Sequence, residues 1–381
     1  MYINEALIHS LPTIRYRISD DPFYRICKQR IDQYFDNNNL SPYANGAMVG
    51  KSVFLIALFL ASYSALYVFQ PRGMYLILLL SLFHFSIFLM AVGIAHDGTH
   101  GSYSRKKWIN NATSRLFDLI GVNSYLWDFN HVKSHHNAPN IPIFDSAIFS
   151  ISLFRLHPRA EYRWFHRYQH YYIFLIYSLT TLFKVFVFDF FSFGRDRIGY
   201  VEIKNHDIGQ LLYLIFTKAF VITYTLIFPL VWLTAPAWQI ITAFLIGHLI
   251  SGLTLGVIFM VTHLHEHTKW PEPDRFGIIN NSFPRHIFET TSDFAVDNRF
   301  VTWISGGLNI HVIHHLFPKI SQIHLPALVG IVKETAAEFD IKYYTYPTTW
   351  SAIRSHLNAI RQLGQPQVAV PLVKPLWIDS K

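Results

Sequence analysis

Histidine is the residue most able to do chemistry in this sequence. The chain holds 21 histidines, and several stand at metal-ligand spacing. His96-Asp97-Gly98-Thr99-His100 offers two imidazoles. His131-Val132-Lys133-Ser134-His135-His136 and His311-Val312-Ile313-His314-His315 offer three each, and His263 stands near His265 and His267. Residues three or four apart on a helix share a face. The spacing therefore predicts that His96 and His100 point one way, that His131 and His135 do the same, and that His311 does so with His314 and His315. Eight or nine imidazoles aimed at one place exceed what one metal needs, since structural zinc takes four ligands and catalytic zinc usually three. They divide naturally over two metals of four or five ligands each, with room for O2 or a bridging oxygen species. Imidazole suits zinc, copper, iron and nickel alike. Zinc has no redox chemistry, so iron is the choice if the task is O2 activation. His265 and His267 are expected at the surface or behind the ligands. His9, His157, His166, His170, His206, His286, His324 and His356 are expected to be ordinary solvent-exposed or capping residues.

The elements that must position these groups are apolar. Of 381 residues, 51% are hydrophobic and 15% charged, against about 25% charged in an average soluble domain, and the mean hydropathy is +0.23. A helix needs roughly 20 apolar residues to cross a bilayer, and the stretches near 52–69, 75–94, 211–233 and 240–261 qualify. Proline-bearing turns, Gln70-Pro71-Arg72-Gly73-Met74 and Thr234-Ala235-Pro236-Ala237-Trp238, fold them into two hairpins. A fifth apolar stretch, 173–193, carries Lys184 and Asp189. If it spanned, the histidines after the second and fourth spans would lie on opposite faces, so it is expected to be interfacial or re-entrant. His84, Lys218 and His248 fall inside spans and are expected to be satisfied within the bundle or to snorkel. The hairpin turns carry one basic residue, Arg72, and nearly all the other Lys and Arg lie in the N-terminal arm, in 95–210 and in 262–381. The positive-inside rule makes those regions cytoplasmic. The expected fold is thus all-α and integral to the membrane, with two helical hairpins (four spans), a cytoplasmic helical cap over the histidines, and both termini cytoplasmic.

The net charge of +8 fits a membrane-facing surface better than nucleic-acid binding, because the basic residues flank apolar spans. The single cysteine, Cys27, excludes an internal disulfide and a cysteine-ligated metal site. No early apolar segment reads as a secretory signal. The stretch 364–381 has three prolines and is expected to be a loosely held extension.

The chain resembles the membrane fatty acid desaturases, and within them the front-end or linoleoyl-CoA-type branch. The similarity runs from the first span to about Leu328. It rests on His96–His100, on Trp127 followed by His131–His136, Asn140 and Asp145, and on His166-Arg167-Tyr168-Gln169-His170-Tyr171. It rests also on Phe259-Met260-Val261-Thr262-His263 and on Gly306-Gly307-Leu308-Asn309-Ile310-His311 through Pro318. His311 is a departure, since the front-end branch usually has Gln there. The expected division is a cytoplasmic arm over 1–50, a desaturase domain with three histidine boxes over 51–330, and a cytoplasmic helix and tail over 331–381. The resemblance implies two iron ions held by His96, His100, His131, His135, His136, His263, His311, His314 and His315, with O2 as co-substrate. The chain has no His-Pro-Gly-Gly haem motif, so the implied electron donor is external, of cytochrome b5 or ferredoxin type.

An unactivated methylene has no acidic proton and no leaving group, so an oxidised metal–oxygen species must attack it while the protein holds the chain and excludes water. The expected substrate is a lipid acyl chain, on coenzyme A or on phospholipid. Arg105, Lys106, Lys107, Arg155, Arg159 and Arg163 are candidates for meeting a coenzyme A head or the surrounding membrane lipid headgroups. Asp97 and Asn309 are expected to orient imidazoles, and Asn140 and Asp145 to fix a loop. A sister hydroxylase or carotenoid ketolase would use the same metals. A metal transporter or sensor is the non-enzymatic alternative, although transporter sites tend to lie at the bilayer midplane and these histidines lie at span ends.

Overall fold

Four helices of the computed structural model are long and apolar enough to cross a membrane: Gly46–Phe69, Gly73–His100, Ile208–Trp232 and Ala237–His263. Residues 12–148, 152–203 and 206–366 are described, so His9 and the tail beyond residue 366 lie outside them. At 1.5 Å per residue, helices of 24 to 28 residues outrun a hydrocarbon core of roughly 30 Å. Their apolar residues face both ways. Leu55, Leu66, Leu76, Leu80 and Phe83 are fully buried, whereas Val53, Phe54, Val68, Leu78 and Phe216 stay more than half exposed. Such helices, apolar all round, meet protein on one side and lipid on the other.

The two hairpin turns bond to each other. Gln70, in the left-handed conformation that ends the first span, donates from Nε2 to the Trp232 carbonyl at 3.2 Å and accepts from the Thr234 N–H at 2.7 Å. Gln239 accepts from the Gly73 N–H at 2.9 Å. His100 and His263 end the second and fourth spans at the other end of the bundle. The third span begins at that same end. Its Tyr213 hydroxyl donates to Asp118 at 3.1 Å and its Lys218 to the Gly121 carbonyl at 2.5 Å, just downstream of the first histidine cluster. The region between spans two and three therefore makes no net crossing. Within it, Trp164–Ser178 and Thr180–Phe193 form a helix pair bent by 57°, as a re-entrant 173–193 requires. Glycines on the fourth span let this pair approach: a Cβ on Gly252 would lie 2.2 Å from the Ser178 carbonyl oxygen. The charges that made the segment ambiguous turn inward, with Asp189 3.1 Å from Lys184 and 2.6 Å from Lys218. His84 donates from Nδ1 to the Leu80 carbonyl at 2.8 Å and packs on His248. Lys218 is thus satisfied within the bundle, whereas His84 is satisfied at Nδ1 and not at Nε2 among the described residues.

At the histidine end, the helix Pro22–Asn37 packs against Leu325–Glu338 and the third cluster, putting Phe23, Cys27 and Ile31 in one core with Val312, Ile313 and Leu316. The last helix, Thr349–Leu363, seats on the fourth span and the bent pair through His356. That residue accepts from the Tyr177 hydroxyl at 3.0 Å and donates to the Leu264 carbonyl at 2.8 Å. The all-α expectation holds, with short ladders added. Arg15–Ile18 pairs in parallel with Ile278–Ser282, and Asp293–Phe294 with Thr345–Tyr346. They pin the arm and the C-terminal segment to the stretch between the fourth span and the third cluster.

Candidate metal centre

Each histidine cluster sits where a regular helix breaks. The second span passes through a π-helical turn, Ala91–Ala95, directly before His96–His100. The second cluster rides a π-helical Asp128–Ser134 and a 3-10 turn, His135–Asn137. The third occupies the short helix His311–Leu316. Single π-turns of this kind recur at functional sites because they re-aim side chains within a continuing helix.

All nine expected imidazoles converge at one end of the bundle, in two groups. His96, His100, His131, His136 and His314 form one, and His135, His263, His311 and His315 the other; within each, the ligand-capable nitrogens lie within 4.8 Å of one another. The rings are buried, the most exposed, His100, at 8%. His96 and His100 share a group as their spacing predicts. The same-face expectation fails for His131 and His135, which enter different groups because the π and 3-10 turns replace α-helical rotation. It holds for His311 with His315 but not with His314.

The nitrogens facing inward are Nε2. Pairs approach to 3.0 Å (His96–His131), 3.2 Å (His131–His136), 3.1 Å (His136–His314), 2.8 Å (His263–His311) and 3.1 Å (His311–His315). Among the described residues, Nε2 of His100 and of His135 has no hydrogen-bond partner. The outward nitrogens explain the tautomers. His135 Nδ1 lies 3.1 Å from both Asp145 oxygens, and a carboxylate only accepts. Its Nδ1 therefore donates to the carboxylate, which leaves Nε2 as the atom turned to the other imidazoles. His263 Nδ1 donates to Asn140 Oδ1 at 3.0 Å, and His311 Nδ1 to the Leu308 carbonyl at 3.1 Å. Burial first, and neighbouring imidazoles second, hold His131, His136, His314 and His315 far below the usual imidazole range. Nine imidazole nitrogens in groups of five and four, with the unpartnered Nε2 atoms of His100 and His135 among them, fit two transition-metal ions.

The groups around these rings differ from expectation. Asp97 contacts no imidazole by hydrogen bond: it accepts from Ser321 Oγ at 2.7 Å and from the backbone and side chain of Gln322 at 3.1 Å, while Gln322 also accepts from Lys51. Asn309 donates to the Phe294 carbonyl and Thr302 and accepts from Ser305. Both fix backbone. The residues in contact with rings are Asn140 and Asp145, although Asp145 also gathers the N–H groups of Asn140 and Ala147. Trp127 stacks on His131 at 4.7 Å and 22°, a role its place four residues upstream does not reveal. Asp293, which no spacing signals, accepts the Val312 N–H at the start of the third-cluster helix at 2.8 Å and is itself held by Tyr343.

Several of the histidines expected to be solvent-exposed or capping are buried: His157, His166, His286, His324 and His356, His166 capping its short helix by accepting the Arg163 N–H. Each bonds backbone, as His286 does to the Pro139 carbonyl at 2.8 Å and His324 to that of Tyr43 at 2.9 Å. His265 is buried beside Tyr344 and Tyr346, and His267 is exposed. Arg155 is not available to headgroups. It is buried, and its guanidinium donates to the carbonyls of Ala160, Leu363 and Pro158. Arg105, Lys106, Lys107, Arg159 and Arg163 are exposed, Arg159 pairing with Glu272.

Comparison with known proteins agrees with this arrangement. The fatty acid desaturase family model matches residues 71–347. The chain is 31% identical to the sn-1 linoleoyl-lipid 6-desaturase of Arthrospira platensis over 344 residues, covering 90% of this chain and 92% of the relative. It is 31% identical to the sn-1 linoleoyl-lipid 6-desaturase of Synechocystis, covering 90% and 96%. It is 29% identical to the acyl-lipid (8-3)-desaturase of Physcomitrium patens, covering 92% and 74%.

Proposed function

The chain belongs to the fatty acid desaturase family, and on that premise we propose that it uses O2 and two iron ions to introduce a double bond into the acyl chain of a membrane lipid. It is a membrane oxidoreductase of lipid metabolism. The observation that carries the finer reading is the convergence of nine buried imidazoles in groups of five and four at the ends of two spans. His96, His100, His131, His136 and His314 would hold one iron, and His135, His263, His311 and His315 the other. The relatives' acyl-lipid names favour an acyl group on a lipid over one on coenzyme A.

The overall change is –CH2–CH2– + O2 + 2 electrons + 2 protons giving –CH=CH– + 2 H2O. A pair of irons with O2 supplies the oxidant that an unactivated methylene requires, and the electrons come from an external donor of cytochrome b5 or ferredoxin type. The chain's own residues supply everything else. Asp145, Asn140 and the Leu308 carbonyl fix the Nδ1–H tautomers of His135, His263 and His311, leaving Nε2 free to ligate. Asp97 and Ser321–Gln322 lock the first cluster to the turn after the third. Phe259 packs on the His135 ring and Trp127 on the His131 ring, and these apolar faces would help keep water from the metal positions. By the distribution of Lys and Arg, the site, the arm over 1–50 and the helix and tail over 331–381 face the cytoplasm, on either side of a catalytic membrane domain over 51–330.

Fatty acid analysis of a host with and without the chain tests this. A new unsaturated acyl species, lost in His135→Ala and His314→Ala variants that still insert in the membrane, is the expected result. New oxygenated lipid without new unsaturation would overturn it.

A further inference from the structure

The two groups of imidazoles are backed differently. In the group of four, three Nδ1 atoms have acceptors: Asp145 for His135, Asn140 for His263 and the Leu308 carbonyl for His311. In the group of five, no Nδ1 atom is hydrogen-bonded to a carboxylate, amide or carbonyl among the described residues. Their ring nitrogens approach one another, and His131 lies on the Trp127 face. Asp145 is buried at 2% exposure, and the N–H groups of Asn140 (2.9 Å), Ala147 (2.8 Å) and Ile148 (3.3 Å) hold it in place. It stands one imidazole away from the group of four.

A carboxylate accepting from the outer nitrogen raises the basicity of the inner one. A negative charge in a poorly polarisable interior also attracts a cation more strongly than it would in water. We infer that the two metal positions are unequal, that the four-histidine position is the tighter, and that Asp145, acting through His135, sets the difference. This rests on the two-metal reading above. Asp145 is a positioning residue, and the property it controls is metal retention.

The test uses the purified full chain, loaded with ferrous iron without oxygen and then challenged with an excess of chelator, with iron release followed over time and no turnover involved. The expected record has a fast and a slow phase of equal size. His100→Ala should keep the slow phase and lose the fast one, and His315→Ala should do the reverse. Asp145→Asn should weaken retention in the slow phase by roughly 10- to 100-fold. If that variant does not purify as a single folded species, Asn140→Ala, which spares the carboxylate, should accelerate the slow phase alone and to a smaller degree. Release of both irons in one phase, a slow phase that survives in His315→Ala, or slow phases unchanged by the Asp145 and Asn140 substitutions would overturn the inference while leaving two irons bound. A chain that binds no iron contradicts the two-metal reading instead.

Discussion

Asn140 and His263, 123 residues apart in the chain, hold each other by two hydrogen bonds: the amide donates to the His263 carbonyl at 2.9 Å and accepts from its Nδ1 at 3.0 Å. One side chain thus fixes both the end of the fourth span and the rotation of the ring it presents. Asn140→Ala should lower activity and iron content together, the iron falling from two toward one per chain as the four-histidine position loosens. Asn309→Ala removes bonds to the Phe294 carbonyl and to the Thr302 and Ser305 hydroxyls, none of them to an imidazole, and should cost about 1–3 kcal/mol of stability with the iron content of the folded fraction retained. Metal analysis beside thermal unfolding separates the two; equal iron loss in both would contradict the assignment.

Asp189 answers two buried cations, Lys184 and Lys218. Its replacement by Leu leaves both unpaired where water does not reach, which should destabilise the chain by about 3–5 kcal/mol. A melting temperature in detergent within a degree of the parent would show that the triad does not hold the bent pair to the third span.

Gly252 leaves room for the Ser178 carbonyl, where a Cβ would sit at 2.2 Å. Because the obstacle is backbone, Gly252→Ala should cost about 1–3 kcal/mol and shift the bent pair away from the fourth span. Thermal unfolding and protease sensitivity near residue 179 measure it; an unchanged profile would mean that the two helices do not approach this closely.

Acid should destabilise the chain. Burial lowers His157 to about 3 and His286 and His356 to about 4, from 6.5. Below 6.5 the unfolded chain takes up protons that the folded chain refuses, so stability present above that pH is lost as the pH falls toward 4. Asp293, raised by burial to about 7 from 3.8, works in the opposite sense, losing stability as pH rises through that window, as do Asp118 and Glu272, also raised by burial, while His265, lowered to about 3, adds to the histidines. Melting temperature should therefore fall on acidification from about pH 7 to about pH 5, and His286→Gln should flatten the fall. A melting temperature that rises over that interval would contradict the signs.

The spans were legible because lipid demands long apolar runs, and the proline-bearing turns at Gln70 and Pro236 marked where they reverse. The nine imidazoles were legible as a set, because their spacing recurs at span ends. Their partition was not. Sequence spacing assumes α-helical rotation, and the turns at Ala91–Ala95 and Asp128–Ser134 are π-helical, so His131 and His135 part company. The roles of Asp97 and Asn309 were exchanged with those of Asn140 and Asp145 for a related reason. Adjacency in sequence to a ligand says little when the contact is made across 123 residues, as from Asn140 to His263. The burial of His286 and His356, expected to be solvent-exposed or capping, is not legible because their backbone carbonyl partners, on Pro139 and Leu264, are distant in sequence.

The metal content of the purified full chain tests the central claim most directly. Elemental analysis should find two irons per chain in the parent, and about one after His315→Ala. A parent chain that carries a single metal ion, or zinc in place of iron while still desaturating lipid, would contradict the claim that these nine imidazoles clasp a redox-active pair.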